Sequence, residues 1–156
     1  MTRAVVLLAM AALLGACKAP PQQDSTDVRP AVAAQLAAAP LACPSSSFDG
    51  FLKAFMESVE VQKTFSAEPL ETQSVDATAE PEPALVTKML TAAELQFPLI
   101  PSGQQQAQER LTMRRSVLEN GDTKVTLTRE DTDYQMSFYF RKNECWQLFR
   151  IRNESL

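Results

Sequence analysis

The strongest pattern in the chain is an alternation of apolar and polar residues near its C-terminus. Four aromatic or apolar residues occupy every second position: Tyr134, Met136, Phe138 and Phe140. Because successive strand side chains point to opposite faces, all four are expected on one face of a β-strand. A second apolar segment, Cys145 to Arg152, follows three polar residues. The two segments predict a terminal β-hairpin.

The second segment changes phase between Leu148 and Phe149. Either a β-bulge turns the side chains there, or both faces of the strand are buried, one by the domain's own helix and the other by a partner. We favour the bulge. A homodimer is the simplest source of the second buried face.

A helical pattern begins after Ser47. Apolar residues recur at spacings of three and four: Phe48, Phe51, Leu52, Phe55, Met56 and Val59. This spacing predicts a long amphipathic helix with an apolar stripe facing the core. The helix is expected to continue or kink through Val61 to Phe65.

Weaker strand signals fill the middle of the chain. Residues 70–78 and 85–90 are strand candidates, separated by Glu80-Pro81-Glu82-Pro83. Pro98 favours an edge strand or a packed loop over 95–101, because proline cannot donate a ladder hydrogen bond. The polar residues 103–108 are expected to form a loop.

Two further strands flank the best hairpin signal, Asn120-Gly121. They span 111–117 and 123–129, with Val125 and Leu127 facing inward, and residues 130–133 form the next turn. We therefore expect an α+β fold, in which one long N-terminal amphipathic helix packs on a curved antiparallel sheet of about four to six strands. The last four strands are expected to form a meander.

The N-terminus has the pattern of a secretory leader. Arg3 precedes ten apolar residues, Ala4 to Leu13, which are too few for a bilayer that needs about 20. Residues 1–16 are therefore predicted to be a signal peptide. Leu14-Gly15-Ala16-Cys17 resembles the lipobox of bacterial lipoproteins. The resemblance implies that Cys17 is lipidated and anchors the protein to a membrane, and Lys18 at the next position implies the outer membrane, with the domain facing the periplasm.

The rest of the chain divides into a tether and a domain. Residues 17–42, rich in proline, alanine and glutamine, are expected to be a disordered tether, and residues 43–156 the globular domain. With Cys17 acylated, Cys43 and Cys145 remain as an even pair in an oxidising compartment, where a disulfide is the expected state. Two separately buried thiols are the alternative.

Composition excludes several kinds of chemistry. The sequence contains no histidine, which removes His-dependent nucleophilic catalysis and His-ligated zinc. Asp131 and Asp133 fit a turn better than a catalytic pair or a calcium loop. No metal, cofactor or enzymatic activity is expected. Without Arg3 the mature chain has 14 basic and 19 acidic residues, a net charge of −5, so nucleic acid is not an expected partner.

Aromatic and arginine side chains of the terminal hairpin are the remaining candidates for contact with a partner. They are Tyr139, Arg141, Trp146 and Arg150. Such residues often anchor protein interfaces. If Phe138 and Phe140 face the helix, Tyr139 and Arg141 face away from it. A pair of surface aromatic and arginine side chains across two strands, with no partner, is the alternative.

Three segments together resemble bacterial lipoproteins with a cystatin-like or NTF2-like domain of unknown function: FDGFLKAFMESVEVQKTFSAEPL, LQFPLIPS and YQMSFYFRKNECWQLFRIRNES. The resemblance implies a curved antiparallel sheet around a helix, often used for binding, and supplies no catalytic residues. We expect a non-enzymatic periplasmic lipoprotein that binds a protein, either an envelope protein or, if it is an immunity protein, an antibacterial effector. A small-ligand carrier or enzyme with an NTF2-like cavity is the alternative.

Overall fold

The domain combines short helices with one six-stranded sheet, and the computed structural model describes residues 41–155 of it. The helices are α1 Phe48–Glu57, α2 Val59–Thr64 and α3 Gly103–Gln108. The strands are β1 Ser66–Asp76, β2 Ala84–Leu90, β3 Leu111–Val117, β4 Thr123–Arg129, β5 Gln135–Lys142 and β6 Trp146–Asn153. The predicted α+β class and strand number are confirmed. The leader, Cys17 and most of the tether lie outside the described residues.

The N-terminal helical segment is not one long helix. It consists of α1 and α2, which are 10 and six residues long. Ser58 separates them with an extended backbone, φ −133° and ψ 121°, and its side chain accepts a hydrogen bond from the Val61 backbone N–H at the start of α2. A serine that caps a new helix satisfies a free N–H group that a continuous helix does not have. The expected long helix is therefore not confirmed, and of the two alternatives for its end, continuation or a kink, the structure has a break at Ser58.

The core forms where α1 packs against β5. The ring of Phe140 makes edge-to-face contacts with Phe48, Phe51 and Phe55 of α1, at centroid distances of 5.4, 6.0 and 5.4 Å. Val125 and Leu127 of β4 are fully buried in the same core, as the alternation predicts. Aromatic pairs in this geometry add about 0.5–1.5 kcal/mol each to the burial of their area.

The sheet has the strand order β2-β1-β6-β5-β4-β3. Strands β3 to β6 form the predicted antiparallel meander, and Gly121 turns between β3 and β4 with a φ of +84°. The expectation of an antiparallel sheet is wrong at one position, because β1 pairs with β6 in parallel. This pairing brings the first strand next to the last.

The phase change in β6 is a β-bulge. Tyr139 of β5 pairs with Arg150, and the next residue, Phe140, pairs with Leu148, so Phe149 is an extra residue in β6. Leu148 and Ile151 are both buried in the core. Phe149 and Arg150 between them face away from the helices. The bulge accounts for the pattern without a second buried face.

Polar side chains hold the segment between β2 and β3 to the helices. Gln62 of α2 is buried; its amide nitrogen donates to the Ile100 carbonyl and its amide oxygen accepts from the Leu99 N–H. Residues 95–101 therefore form a packed loop rather than a strand.

Residues 103–108 form helix α3, so the predicted loop is wrong at this position. A capping box begins the helix: the Ser102 side chain accepts from the Gln105 backbone, and the Gln105 side chain accepts from the Ser102 backbone. These reciprocal bonds satisfy two N–H groups at the helix start.

Cys43 and Cys145 form a disulfide across a sequence separation of 102 residues. It joins the chain just before α1 to the residue just before β6. The pairing that the cysteine count predicts is present.

We expect the double variant Cys43→Ser/Cys145→Ser to have a free energy of unfolding lower by about 4–5 kcal/mol, because the bridge closes a loop of this length in the unfolded chain. Urea unfolding followed by Trp146 fluorescence measures the change. Cys17→Ser is the control and should leave the midpoint unchanged. A double variant with the wild-type midpoint would contradict a stabilising bridge.

Candidate functional site on the outer face of the sheet

The two faces of the sheet differ in chemistry. The inner face, which carries Phe138 and Phe140, packs against α1 and is apolar. The outer face is the opposite one. Paired residues form a row across it from β3 to β2: Ser116, Lys124, Tyr139, Arg150, Glu71 and Met89. The middle of the row thus places one aromatic ring between two cations, with a carboxylate next to the second cation.

Three cations surround two aromatic rings at the centre of this row. The Lys124 Nζ and the Arg150 guanidinium lie 5.7 and 5.5 Å from the Tyr139 ring centroid. The Arg141 guanidinium lies 4.3 Å from the Phe149 centroid, and the two rings are 6.3 Å apart. All these distances are within or close to the range of about 6 Å for cation–π attraction. We name Lys124, Tyr139, Arg141, Phe149 and Arg150 the outer-face cluster.

Carboxylates hold two of the arginines in place. Glu71 of β1 accepts a hydrogen bond from Arg150 Nη2 at 3.0 Å, and Arg150 Nε lies 2.9 Å from the other oxygen of the same carboxylate as an ion pair, without hydrogen-bond geometry among residues 41–155. Asp122, whose side chain is 8% exposed, lies 3.6 Å from Arg141 Nε. One charge-assisted hydrogen bond and a second close contact with the same carboxylate restrict the guanidinium, so Arg150 is pre-positioned.

The structure brings together three of the four predicted contact residues. Tyr139, Arg141 and Arg150 belong to the cluster, although Tyr139 is only 8% exposed and lies beneath its neighbours. The bulge at Phe149 supplies the second ring, which the alternation of the sequence does not assign to a face.

Trp146 is not part of the outer-face cluster. Its ring lies 4.9 Å from Phe48 of α1, so it packs at the edge of the core on the inner face. Its indole N–H is buried without a hydrogen-bond acceptor among the described residues. Lys142 Nζ lies 5.4 Å from the same ring. The candidate contact residues are therefore divided between the two faces.

A second row across the outer face is polar and hydrogen-bonded. Ser137 is fully buried and donates to Glu154, which also accepts from the Gln135 side chain. Arg152 lies 3.3 Å from the same carboxylate group. Burial raises the pKa of Glu154, but these hydrogen bonds together with Arg152 and Lys124 outweigh it, and the pKa lies below its ordinary value.

Other chemistry is not apparent in the part of the chain that the structure describes. Within residues 41–155, no group of three or more acidic or cysteine side chains has the arrangement of a metal site. Asp131 has a positive φ of 57° in the turn before β5, a role typical of aspartate. No helix in this range has the length and hydropathy that crossing a membrane requires.

The fold is of the NTF2-like class. The structure is similar to the crystal structure of an NTF2-like protein from Bacteroides fragilis, with a TM-score of 0.53 and 17% sequence identity. The match covers 72% of this chain and 48% of that protein, so the chain spans about half its length. Comparison with protein-family models gives no match, and comparison with curated proteins gives none either. Of the two resemblances expected from the sequence, the NTF2-like one is supported.

We expect Glu154→Gln to destabilise the domain at neutral pH and to have progressively less effect in acid. Because the folded-state pKa of Glu154 is lowered, its charge stabilises the fold above the ordinary glutamate pKa, and this contribution is lost as the pH falls through the folded-state value. Urea unfolding at a series of pH values measures the difference between the variant and the wild type.

Glu130→Gln is the matched control, since Glu130 is exposed in the turn before β5 and should change stability little at any pH. A Glu154→Gln effect that is the same at neutral and acid pH would show that the charge of Glu154 does not contribute.

Proposed function

We propose that this protein is a lipid-anchored, non-enzymatic binding module of the bacterial envelope that contacts a protein partner through the outer face of its sheet. The outer-face cluster is the observation that carries the proposal. It places three cations and two aromatic rings on the side of the sheet opposite the helices. Arginine and aromatic residues are enriched in protein interfaces and dominate their energetics.

Pre-positioning supports a binding role for the cluster. The Glu71 carboxylate fixes Arg150, and Asp122 lies beside Arg141. Arg141 nevertheless keeps half of its side chain exposed. A side chain that is already ordered loses less conformational entropy when it meets a partner. The cluster is therefore suited to recognition, beyond its contribution to the sheet.

The alternative, a carrier or enzyme with an NTF2-like cavity, is less well supported. Such a cavity belongs between the helices and the inner face of the sheet. In this protein the rings of Phe51, Phe55 and Phe140 occupy that space, at centroid separations of 5.4–6.0 Å, and all three are fully buried. A ligand needs an enclosed apolar volume with polar groups directed into it.

The proposed lipid anchor implies that the protein is located at the outer membrane. The lipobox-like segment ending at Cys17 supports lipidation there, and Lys18 supports the outer membrane, with the domain facing the periplasm. In one form of the proposal the partner is an antibacterial effector and this chain is its immunity protein. In the other form it is a resident envelope protein.

Site-specific crosslinking in the native envelope tests the binding face. A photoreactive phenylalanine analogue replaces Arg141 in the full-length protein, and the matched control replaces Lys53, which is exposed on α1. We expect a discrete adduct from position 141 that position 53 does not give, and mass spectrometry identifies the partner. An adduct from position 53 and none from position 141 would place the binding face elsewhere.

Lipidation is tested separately. We expect Cys17→Ser to abolish incorporation of radiolabelled palmitate and to release the protein from the membrane fraction, because acyl chains are its proposed anchor. Globomycin, which blocks lipoprotein signal peptidase, should cause the unprocessed wild-type precursor to accumulate. A soluble wild-type product, cut before Cys17 and free of acyl chains, would contradict the anchor.

A further inference from the structure

Strand β3 is an unprotected edge of the sheet. It is the last strand in the order β2-β1-β6-β5-β4-β3, and six of its seven residues are exposed. Within residues 41–155 it pairs with β4 alone. Half of the backbone N–H and C=O groups of an edge strand point away from the sheet, where another strand can bind them.

The two sides of β3 differ in chemistry. On the inner face Met113 and Val117 are 42% and 69% exposed, and Arg115, which forms an ion pair with Asp49, lies between them. On the outer face Arg114 lies beside a depression of about 500 Å³ that Lys124 also lines. The rest of its lining consists of Arg115, Ser116, Thr126, Thr128 and Gln135.

The depression has an excess of positive charge. The other cations of the outer face are matched: Arg141, Arg150 and Arg152 each lie within 4 Å of a carboxylate. Among residues 41–155, neither Arg114 nor Lys124 has a carboxylate oxygen within 4 Å, and Lys124 acts on Glu154 only from a greater distance. An acidic group is therefore the electrostatic complement of this edge.

We propose that the edge of β3 binds an extended segment of a partner protein in which acidic and apolar residues alternate, and that this segment adds a seventh strand to the sheet. Alternate side chains of the added strand would lie on the two faces. Its acidic residues meet Arg114 and Lys124, and its apolar residues meet Met113 and Val117. The inference rests on the proposed function, since it gives the chemistry of the partner.

A second copy of the chain fits this edge poorly. If two β3 strands paired antiparallel about their centre, Arg114 of one copy would lie opposite Arg114 of the other, because Arg114 is the middle residue of Leu111–Val117. Like charges directly opposite each other destabilise a strand pair. An acidic strand from another protein has the opposite charge and avoids this repulsion.

The test uses fluorescence anisotropy to measure the binding of synthetic peptides to the full-length protein in detergent. The probe is a capped peptide of β3's length that alternates glutamate and valine. We expect saturable binding that weakens as salt is added, because exposed charges are screened. A peptide that alternates lysine and valine is the charge control and should bind at least about tenfold more weakly, equivalent to roughly 1.4 kcal/mol.

Charge reversal tests whether Arg114 and Lys124 recognise acidic side chains, and backbone methylation tests whether the peptide adds to the sheet through backbone hydrogen bonds. The double variant Arg114→Glu/Lys124→Glu should bind the glutamate peptide at least about tenfold more weakly than the wild type does, and it should bind the lysine peptide more tightly. Alternate N–H groups of a strand point to the same edge, so we use one peptide methylated on every valine nitrogen and one on every glutamate nitrogen. At least one of them should lose binding.

Three results would overturn the inference: no binding of the glutamate peptide, unchanged binding to the charge-reversed variant, or full binding of both methylated peptides. The crosslink expected from Arg141 is a separate readout, because Arg141 does not line the depression beside β3. If the peptide binds but position 141 gives no crosslink, the outer-face cluster is not the binding surface, and the edge of β3 remains as the proposed one.

Discussion

The contact of Phe140 with the phenylalanines of α1 is the interaction on which the rest of the domain depends. It fixes the helix to the middle of the sheet, and Phe140 is surrounded by Phe48, Phe51 and Phe55. Because strand side chains alternate, burying Phe140 on the inner face places Tyr139 and Arg141 on the outer face. The surface chemistry of the domain therefore follows from the packing of its core.

The bulge at Phe149 lets one strand serve both faces. Leu148 and Ile151 are three residues apart, yet both are buried in the core, which a regular strand with a period of two does not allow. The extra residue places Phe149 and Arg150 together on the outer face, where they meet Tyr139 and Arg141. Bulges commonly redirect side chains near functional sites. Here the bulge assembles the proposed binding surface.

Local patterns predict most of the elements, and long-range packing decides the rest. The alternation in β4 and β5, the helical stripe of α1 and the turn at Gly121 are local features, and each appears in the structure. Helix α3 has no apolar stripe, and only the capping box of Ser102 and Gln105 signals it. The break at Ser58 has only its serine cap as a local sign, and the parallel pairing of β1 with β6 has no periodic signature, because it joins segments far apart in the sequence. The bulge at Phe149 places Trp146 and Arg150 on opposite faces, although a regular strand would put them on the same one.

The disulfide also determines how the domain bears a mechanical load. A pull on the chain upstream of Cys43 would, without the bridge, act first on α1 and peel its phenylalanines from the sheet one at a time. With Cys43 joined to Cys145, part of the load passes directly to the start of β6, which is hydrogen-bonded to β5 on one side and β1 on the other. Strands loaded along their length must break several hydrogen bonds together. The bridge thus lets force applied upstream of Cys43 reach the sheet without passing only through α1.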